Sequence, residues 1–453
     1  MPEPFTRETT AEPPYPSPTY AWYVVIILMV AYVFAYLDRF ILTLMVEPIK
    51  RDLGISDTQM SLVLGLAFAV FYTLLGIPLG RLADRANRRT IVAVGIAVWS
   101  VMTAACGFAK NFGSLFAARI GVGVGEATLQ PCASSLLGDY FPRGKRGLAY
   151  SVYAWGLGLG AGSAMILGGK VIETVSKGGT YHLPLVGDIF AWQAVFLAIG
   201  APGLVAAALM MTVKEPPRRD RVAGQSTDAL PLKDVVAYLT ARWRTYGSHF
   251  LGLSVMTIIG NAYVFWLPSV FIRTHGWTIG DISFWYGLVL GIGGPVGVTL
   301  GGLVGDHLYK SGFKDGHMRA ALIGTLLLIP AAIAVPLIPD ASVAMSLMIL
   351  HAVGSGMPTA AGPTALMMIA PNQMRGQITA VYWFVISGLG LGLGPLSVAL
   401  ITDKVFANPA SVGLSLTIVS AIAGVLVSWV LVYNLKHYRS SVEETERMIA
   451  PIA

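Results

Sequence analysis

Twelve stretches of this chain run apolar for about twenty residues or more, near 20 to 46, 57 to 80, 90 to 109, 113 to 139, 147 to 169, 190 to 212, 245 to 272, 281 to 305, 319 to 338, 342 to 369, 376 to 401 and 412 to 435. A helix needs about 20 such residues to cross the hydrocarbon of a bilayer, where the backbone must satisfy its own hydrogen bonds. The runs do not alternate polar with apolar, which argues against a barrel and for an all-α integral membrane protein of twelve transmembrane helices. Composition agrees, since 55% of the 453 residues are hydrophobic and 12% charged, too little charge to wet a soluble surface of that size.

The chain also repeats itself. Pro142, Arg146-Gly147 and Tyr153 recur as Pro371, Arg375-Gly376 and Tyr382, all displaced equally (371 − 142 = 375 − 146 = 382 − 153 = 229). Gly80 with Asp84 recurs as Gly302 with Asp306, displaced by 222 (302 − 80). Half the chain separates equivalent points, so two six-helix bundles of one plan are expected, with a working site between them. Residues 1–213 then form the N-terminal bundle, 214–244 a polar linker and 245–453 the C-terminal bundle and tail. Within the linker, Leu232, Val235, Val236 and Leu239 have helical spacing, as in a short amphipathic helix on the membrane surface. The loop from Lys170 to Asp188, with Gly178, Gly179 and Pro184, reads as a connector or a flap.

A net charge of +7 raises the question of nucleic acid, and the location of the charge answers it. Of the 31 Lys and Arg, 22 fall on the tails and alternate loops that share one side, 7 on the other side and 2 inside helices. Scattered basic loops mark the cytoplasmic side, with both termini on it, and do not form the gathered patch that nucleic acid requires. The stretch ahead of Ala21 carries a single basic side chain, Arg7, and no cleavage site follows the first apolar run, so that run is expected to be its own insertion signal. Cys106 and Cys132 lie in apolar runs as small core residues, and no metal or disulfide spacing is found.

Glycine gathers where helices must touch: Gly156, Gly158, Gly160 and Gly162 in the fifth run, and Gly388, Gly390, Gly392 and Gly394, then Pro395, in the eleventh. Close packing explains such spacing, and so does a helix that bends as the bundles rock.

Between the second and third runs stands Gly80-Arg81-Leu82-Ala83-Asp84-Arg85-Ala86-Asn87-Arg88-Arg89, a short reversal in which Asn87 can take the left-handed conformation. This loop resembles the signature of the major facilitator superfamily, with a degenerate copy from Gly302 to Asp306. Tyr36-Leu37-Asp38-Arg39-Phe40, Arg119 to Ala127, Val213 to Arg218, and Asn87 where most of the superfamily has glycine look like the spinster family of lipid transporters in a bacterial form. The resemblance covers essentially the whole chain. It implies alternating access through the bacterial inner membrane and a cytoplasmic latch at Gly80, Asp84, Arg85, Arg88, Arg89 and Arg146 that meets the second half. Asp306 is followed by His307 and Leu308, without the arginines, which puts a matching latch there in doubt.

Four ionisable residues lie well inside apolar helices of the first half: Asp38, Arg39, Arg119 and Glu126. A charge at that depth costs several kcal/mol unless paired or hydrated, so these face the interior of the bundle. Arg119 and Glu126 are seven apart, two turns of helix, and share one face about 10 Å apart. Asp38 and Arg119 fall at a similar depth and can be neighbours. Two readings stand: a permanent ion pair tying the first helix to the fourth, or a proton site at Asp38 or Glu126, with Arg39 and Arg119 as countercharges or as binders of an acidic head group.

In the second half His351 stands alone as an ionisable residue at depth, among bulky and mostly uncharged residues. Together with Tyr36, the residues Asn261, Tyr263, Trp266, Trp285, Tyr286, His351, Tyr382 and Trp383 are expected either to line the cavity or to serve as packing. One charged wall and one apolar wall suit an amphiphile. The resulting expectation is a monomeric secondary transporter, coupled to protons and without cofactor or metal, that carries a lysolipid or sphingoid-like molecule. A proton symporter of a water-soluble organic anion is the alternative, because an Asp-Arg pair in the first helix also resembles that of the superfamily's anion symporters. An enzyme acting on lipid would need a nucleophile, metal or phosphate motif, and neither HExxH, GxSxG nor a Walker loop occurs. A channel or a receptor is the remaining reading.

Overall fold

The computed structural model describes residues 14–176, 179–184, 187–218, 232–371 and 374–449. Among these residues twelve long helices cross back and forth. Six form the first bundle: Pro18–Leu44; the second helix, which runs on through Asp57–Ser61, Leu62–Leu66 and Ala67–Arg85; Arg88–Cys106; the fourth, in two pieces Phe112–Glu126 and Leu129–Tyr140; Arg143–Ser176; and Ala191–Met211. The second bundle holds Trp243–His275; the eighth helix, Ile279–Leu288, Val289–Gly293 and Gly294–Lys310; Gly316–Ala334; Ala341–Ile369; the eleventh, Arg375–Leu400 with Ile401–Phe406; and Val412–Ile449. Ten of these clear the length and apolarity needed to cross a bilayer. The fourth carries Arg119 and Glu126 and breaks at Ala127 and Thr128, where the sequence suggested one continuous run.

Local chemistry sets the helix ends. Ser56 accepts from the Gln59 amide while the Gln59 side chain accepts from the Ser56 amide, closing two backbone groups that would otherwise stay open. Thr278 and Asp281 do the same at the eighth helix. Asn87 is not left-handed: at φ −72° and ψ 109° it stays extended, and its side chain accepts from the Thr90 amide as the cap of the third helix. The loop after the fifth helix is a two-stranded hairpin, with Thr180 opposite Phe190 and Leu183 opposite Gly187. The amphipathic helix forms as Leu232–Ala241, with Val235 buried and Val236 47% exposed.

The internal repeat is structural. The α-helical ladder loosens into a π turn at Leu62–Leu66 of the second helix and again at Val289–Gly293 of the eighth, within the range of the repeat interval (289 − 62 = 227). Each loosened helix meets a glycine-rich helix of the other bundle. A side chain at Gly65 would put its Cβ 2.2 Å from the Leu391 carbonyl and 2.7 Å from Pro395, and one at Gly162 would meet the Gly291 Cα at 2.9 Å. Only glycine lets these backbones approach so closely.

With twelve passes, the start of the first helix and the end of the last lie on one face. On the opposite, far face the bundles are joined, since the hydrogen bonds and ion pairs by which Thr58 and Arg273 cross from one bundle to the other lie there. Toward the terminal face they part: a side chain at Gly302 would meet open space, and one at Gly80 only Pro131 of its own bundle.

Candidate functional site

The first and fourth helices bring all four intramembrane charges together. Arg39 donates from Nε to Glu126 Oε2 at 2.7 Å, and its Nη2 lies 2.5 Å from the same oxygen. The guanidinium sits 4.2 Å from the ring centre of Phe68, 5.0 Å from Tyr72 and 5.2 Å from Tyr36, an aromatic cup suited to a cation. Asp38 and Arg119 are neighbours without being an ion pair. Thr103 Oγ1 donates to Asp38 Oδ2 at 3.1 Å, while Arg119 Nη1 donates to the main-chain carbonyl of Asp38 at 3.4 Å. The tie between first and fourth helices is thus Arg39–Glu126, where depth in the sequence had suggested Asp38 with Arg119.

Three of the four are sealed in the first bundle: Asp38, Arg119 and Glu126 are 3%, 1% and 2% exposed. Arg39 keeps 15% of its side chain accessible and is the cluster's most reachable member. Two buried polar atoms, Arg119 Nε and Glu126 Oε1, have no hydrogen-bond partner among the described residues. A cluster with such spare capacity accepts a proton, a water or an arriving polar group without first breaking every bond it has.

The second bundle corrects the expected cavity wall. Tyr263 and Trp266 are wholly buried, and each uses its polar end on a carbonyl, Tyr263 on Ala332 and Trp266 Nε1 on Pro395 at 2.9 Å. Tyr286, His351 and Tyr382 are buried as well, the last packed beside His249 and Phe250. These five are core residues here, Tyr263 and Trp266 because an aromatic ring with a polar end packs wherever a free carbonyl lies within reach. Asn261 and Tyr36 are half-buried, Asn261 donating to the Thr257 carbonyl of its own helix at 2.9 Å. Trp285 and Trp383 are 50% and 45% exposed.

The arginine loop is also tied differently from the expectation. Arg88 is fully buried and donates to Glu215 at 2.7 Å, Asp139 at 2.5 Å and Ser135 at 2.8 Å. The Arg89 amide donates to Glu215 at 3.0 Å, and Arg218 donates to the carbonyls of Ala83 and Ala86 at 2.8 and 2.7 Å. All these partners belong to the first bundle or to the segment just after it, so in this conformation these arginines bind the first bundle to itself and do not reach the second half. Arg85 is exposed and Gly80 half-buried, while the side chains of Asp84 and Arg146 lie outside the described residues. The second bundle has the equivalent tie with its signs exchanged: Asp315 accepts from Arg319 and Arg439, each at 2.8 Å. Asp315 corresponds to Arg88 (315 − 88 = 227) and Arg439 to Glu215 (439 − 215 = 224), both within the span of the repeat interval.

Sequence reasoning missed the strap on the far face. Arg273, at the end of the seventh helix, donates to Glu47 at 2.8 Å and to both oxygens of Asp57 at 2.7 and 2.8 Å. Lys50 also bonds Asp57, and both the amide and the hydroxyl of Thr58 donate to Asp403 at 2.6 Å. The available signal was the scarcity of charge on that face: Arg273 is one of only seven basic residues there.

Two like six-helix bundles strapped together at one face, with an ionic cluster buried at membrane depth, define a membrane carrier. The chain belongs to the Major Facilitator Superfamily, whose family model matches residues 28–395. It is similar over 95% of its length, with a TM-score of 0.77 and 25% identity, to a solved bacterial homolog of the human lysosomal transporter spinster in an inward-facing and unoccupied conformation, covering 99% of that chain. An MFS-type efflux pump of Mycolicibacterium smegmatis is 26% identical over 95% of this chain and 96% of its own. The protein spinster of Drosophila melanogaster is 26% identical over 64% of this chain, which spans 46% of that protein. A D-galactonate transporter of Escherichia coli is 27% identical over 91% of this chain and 95% of its own.

Proposed function

We propose that the protein is a proton-coupled transporter working by alternating access in the bacterial inner membrane, with both termini cytoplasmic, and that its cargo is an amphipathic organic molecule of lysolipid or sphingoid type. The arrangement of Asp38, Arg39, Arg119 and Glu126 carries the reading. Asp38 has a hydroxyl and no guanidinium on its carboxylate, so it gains most from a proton. Arg39, held by Glu126 and cupped by Phe68, Tyr72 and Tyr36, is the reachable cation for an acidic head group. If an acidic group takes Arg39, the Glu126 carboxylate loses its partner and is next to need a proton. Exchange of partners then links cargo and proton to the choice of conformation.

In this scheme the far face is periplasmic. The Arg273 strap closes it while the cytoplasmic side is open, and the arginine loop is the stretch available to close the inner side in the opposite state. The relative named for D-galactonate transport supports the second reading, a water-soluble organic anion taken by Arg39. Uptake into proteoliposomes with and without a pH gradient tests both, using a lysolipid and a sugar acid as cargoes. Gradient-driven uptake of the lysolipid, lost in Asp38→Asn and Glu126→Gln, supports the first reading. The same result with the sugar acid alone supports the second, and uptake indifferent to gradient and variants removes both.

A further inference from the structure

Tyr263 and His351 stand in the second bundle where Asp38 and Glu126 stand in the first. The displacement is the same for both (263 − 38 = 351 − 126 = 225) and falls between the two intervals, 222 and 229, that relate the repeated motifs. The Tyr263–His351 contact joins the first helix of its bundle to the fourth, as Arg39–Glu126 does in the other bundle. In the second bundle the join is a ring contact, with the Tyr263 and His351 centroids 4.2 Å apart and tilted by 31°. Where the first bundle keeps an ionic pair, the second keeps a neutral, titratable one.

The His351 ring is enclosed with a polar atom left unsatisfied. His351 is 4% exposed, and its Nε2 has no hydrogen-bond partner among the described residues. A buried polar atom left unpaired has lost its water and gained nothing in return, and phenylalanine or alanine would fill the same space without that penalty. Polar side chains kept at depth against it belong to a site that is used in another state.

The groups facing His351 define its chemistry. Tyr263 of the seventh helix, bonded to Ala332 of the ninth, is the ring in contact with it. The ninth and eleventh helices present no acid at that depth: Asp281, Asp306, Asp315, Asp340 and Asp403 lie at helix ends or in turns. Among the described residues no carboxylate holds a charge on the ring in advance. A positive imidazolium there would rest on the electron-rich face of Tyr263.

We propose that His351 is a second proton-binding position, the counterpart in the second bundle of the acid on the fourth helix. When rocking of the bundles admits water, a hydronium ion gives its proton to the free ring nitrogen lone pair, leaving water and an imidazolium stacked on Tyr263. When the other face opens, the proton returns to water and the ring is neutral again. The inference rests on alternating access and extends proton handling beyond the cluster at Asp38.

Nitrogen-15 NMR of the full-length protein in lipid nanodiscs, labelled at histidine, tests it without any cargo. His351→Gln identifies the signal by difference, with His351→Asn as a second variant should the first misfold. Arg273→Ala releases the far-face strap and samples the opposite state. The expected result is a His351 signal that stays neutral from about pH 8 to 5 in the wild type but titrates within that range in the Arg273→Ala background. Tyr263→Leu, which removes the stacked ring, is expected to move that midpoint down by about one unit. A His351 signal neutral throughout in both backgrounds overturns the proposal. Because no cargo is present, failure at His351 is separable from failure of Asp38→Asn and Glu126→Gln to alter gradient-driven uptake.

Discussion

Arg273 and Asp57 meet across the two bundles as a two-pronged pair, Nη1 to Oδ2 at 2.7 Å and Nη2 to Oδ1 at 2.8 Å, with the Asp57 carboxylate wholly buried. Glu47 takes the remaining Nε of the same guanidinium, and Lys50 also bonds Asp57, so two acids and two bases balance. Charge pairing of this geometry is directional, and it is made only while the far face is shut. The strap therefore contributes to one conformation and not the other, which is the requirement for biasing their equilibrium.

Removing Arg273 should shift the protein toward the far-face-open state. Loss of one partner of a buried pair costs about 3–5 kcal/mol, and part of it disappears when the bundles separate and water reaches Asp57. Spin labels on the far ends of the first and seventh helices should show the distance distribution moving outward in Arg273→Ala by at least a tenfold change in population ratio. An unchanged distribution would mean the strap is incidental.

Gly65 and Gly162 should tolerate no larger side chain in a working protein. A leucine at either position meets backbone of the opposite bundle at under 3 Å, so far-face closure is blocked while each bundle still folds. Gly65→Leu and Gly162→Leu should retain wild-type melting within a few degrees and lose transport by more than tenfold. A large drop in stability with transport intact would place these glycines in packing alone.

The two terminal-face ties should behave as stability elements. Arg88→Ala leaves Glu215 and Asp139 without their shared cation, and a loss of about 3–5 kcal/mol is expected, partly restored by pairing Arg88→Glu with Glu215→Arg. Asp315 gives the acid counterpart. Burial raises its carboxyl pKa, but the hydrogen bonds from Arg319 and Arg439 more than offset this and hold it below the ordinary 3.8. A folded-state pKa depressed in this way contributes stability that is complete above about pH 4 and fades as pH falls through the lowered value. Thermal melts of wild type and Asp315→Asn should differ at pH 7 and converge in acid; a gap that widens in acid would reverse the sign.

Arg39→Lys tests the aromatic cup. Lysine keeps the charge but is a compact, strongly hydrated cation without the planar fork that reaches Glu126 and stacks on Phe68. Cargo affinity should fall by about tenfold with the helix-to-helix tie weakened. Equal affinity would show that cargo does not touch this position.

Much of the fold was legible because lipid imposes a simple rule on sequence: twelve apolar runs gave twelve helices, ten of them long and apolar enough to cross a bilayer by themselves, and the displacement of Pro142, Arg146 and Tyr153 gave the two bundles. Burial of Asp38, Arg119 and Glu126 followed from the cost of charge in hydrocarbon. Partner choice did not, because Arg39 and Arg119 both have the reach to meet either acid, and a turn of helix decides between them. The aromatic residues misled for a similar reason. Tyr263 and Trp266 satisfy their polar ends on carbonyls of helices distant in sequence, Ala332 and Pro395, which no local pattern reveals. The Arg273 strap was hidden because its partners lie 216 and 226 residues away.

Proton movement accompanying cargo addresses the role of the first-helix cluster most directly. Proteoliposomes containing a pH-sensitive dye, with no gradient imposed, should acidify or alkalinise when cargo is added to wild type. Asp38→Asn and Glu126→Gln should bind cargo yet move no protons. Cargo uptake with a silent dye in the wild type, or an undiminished dye signal in both variants, contradicts proton coupling through this cluster.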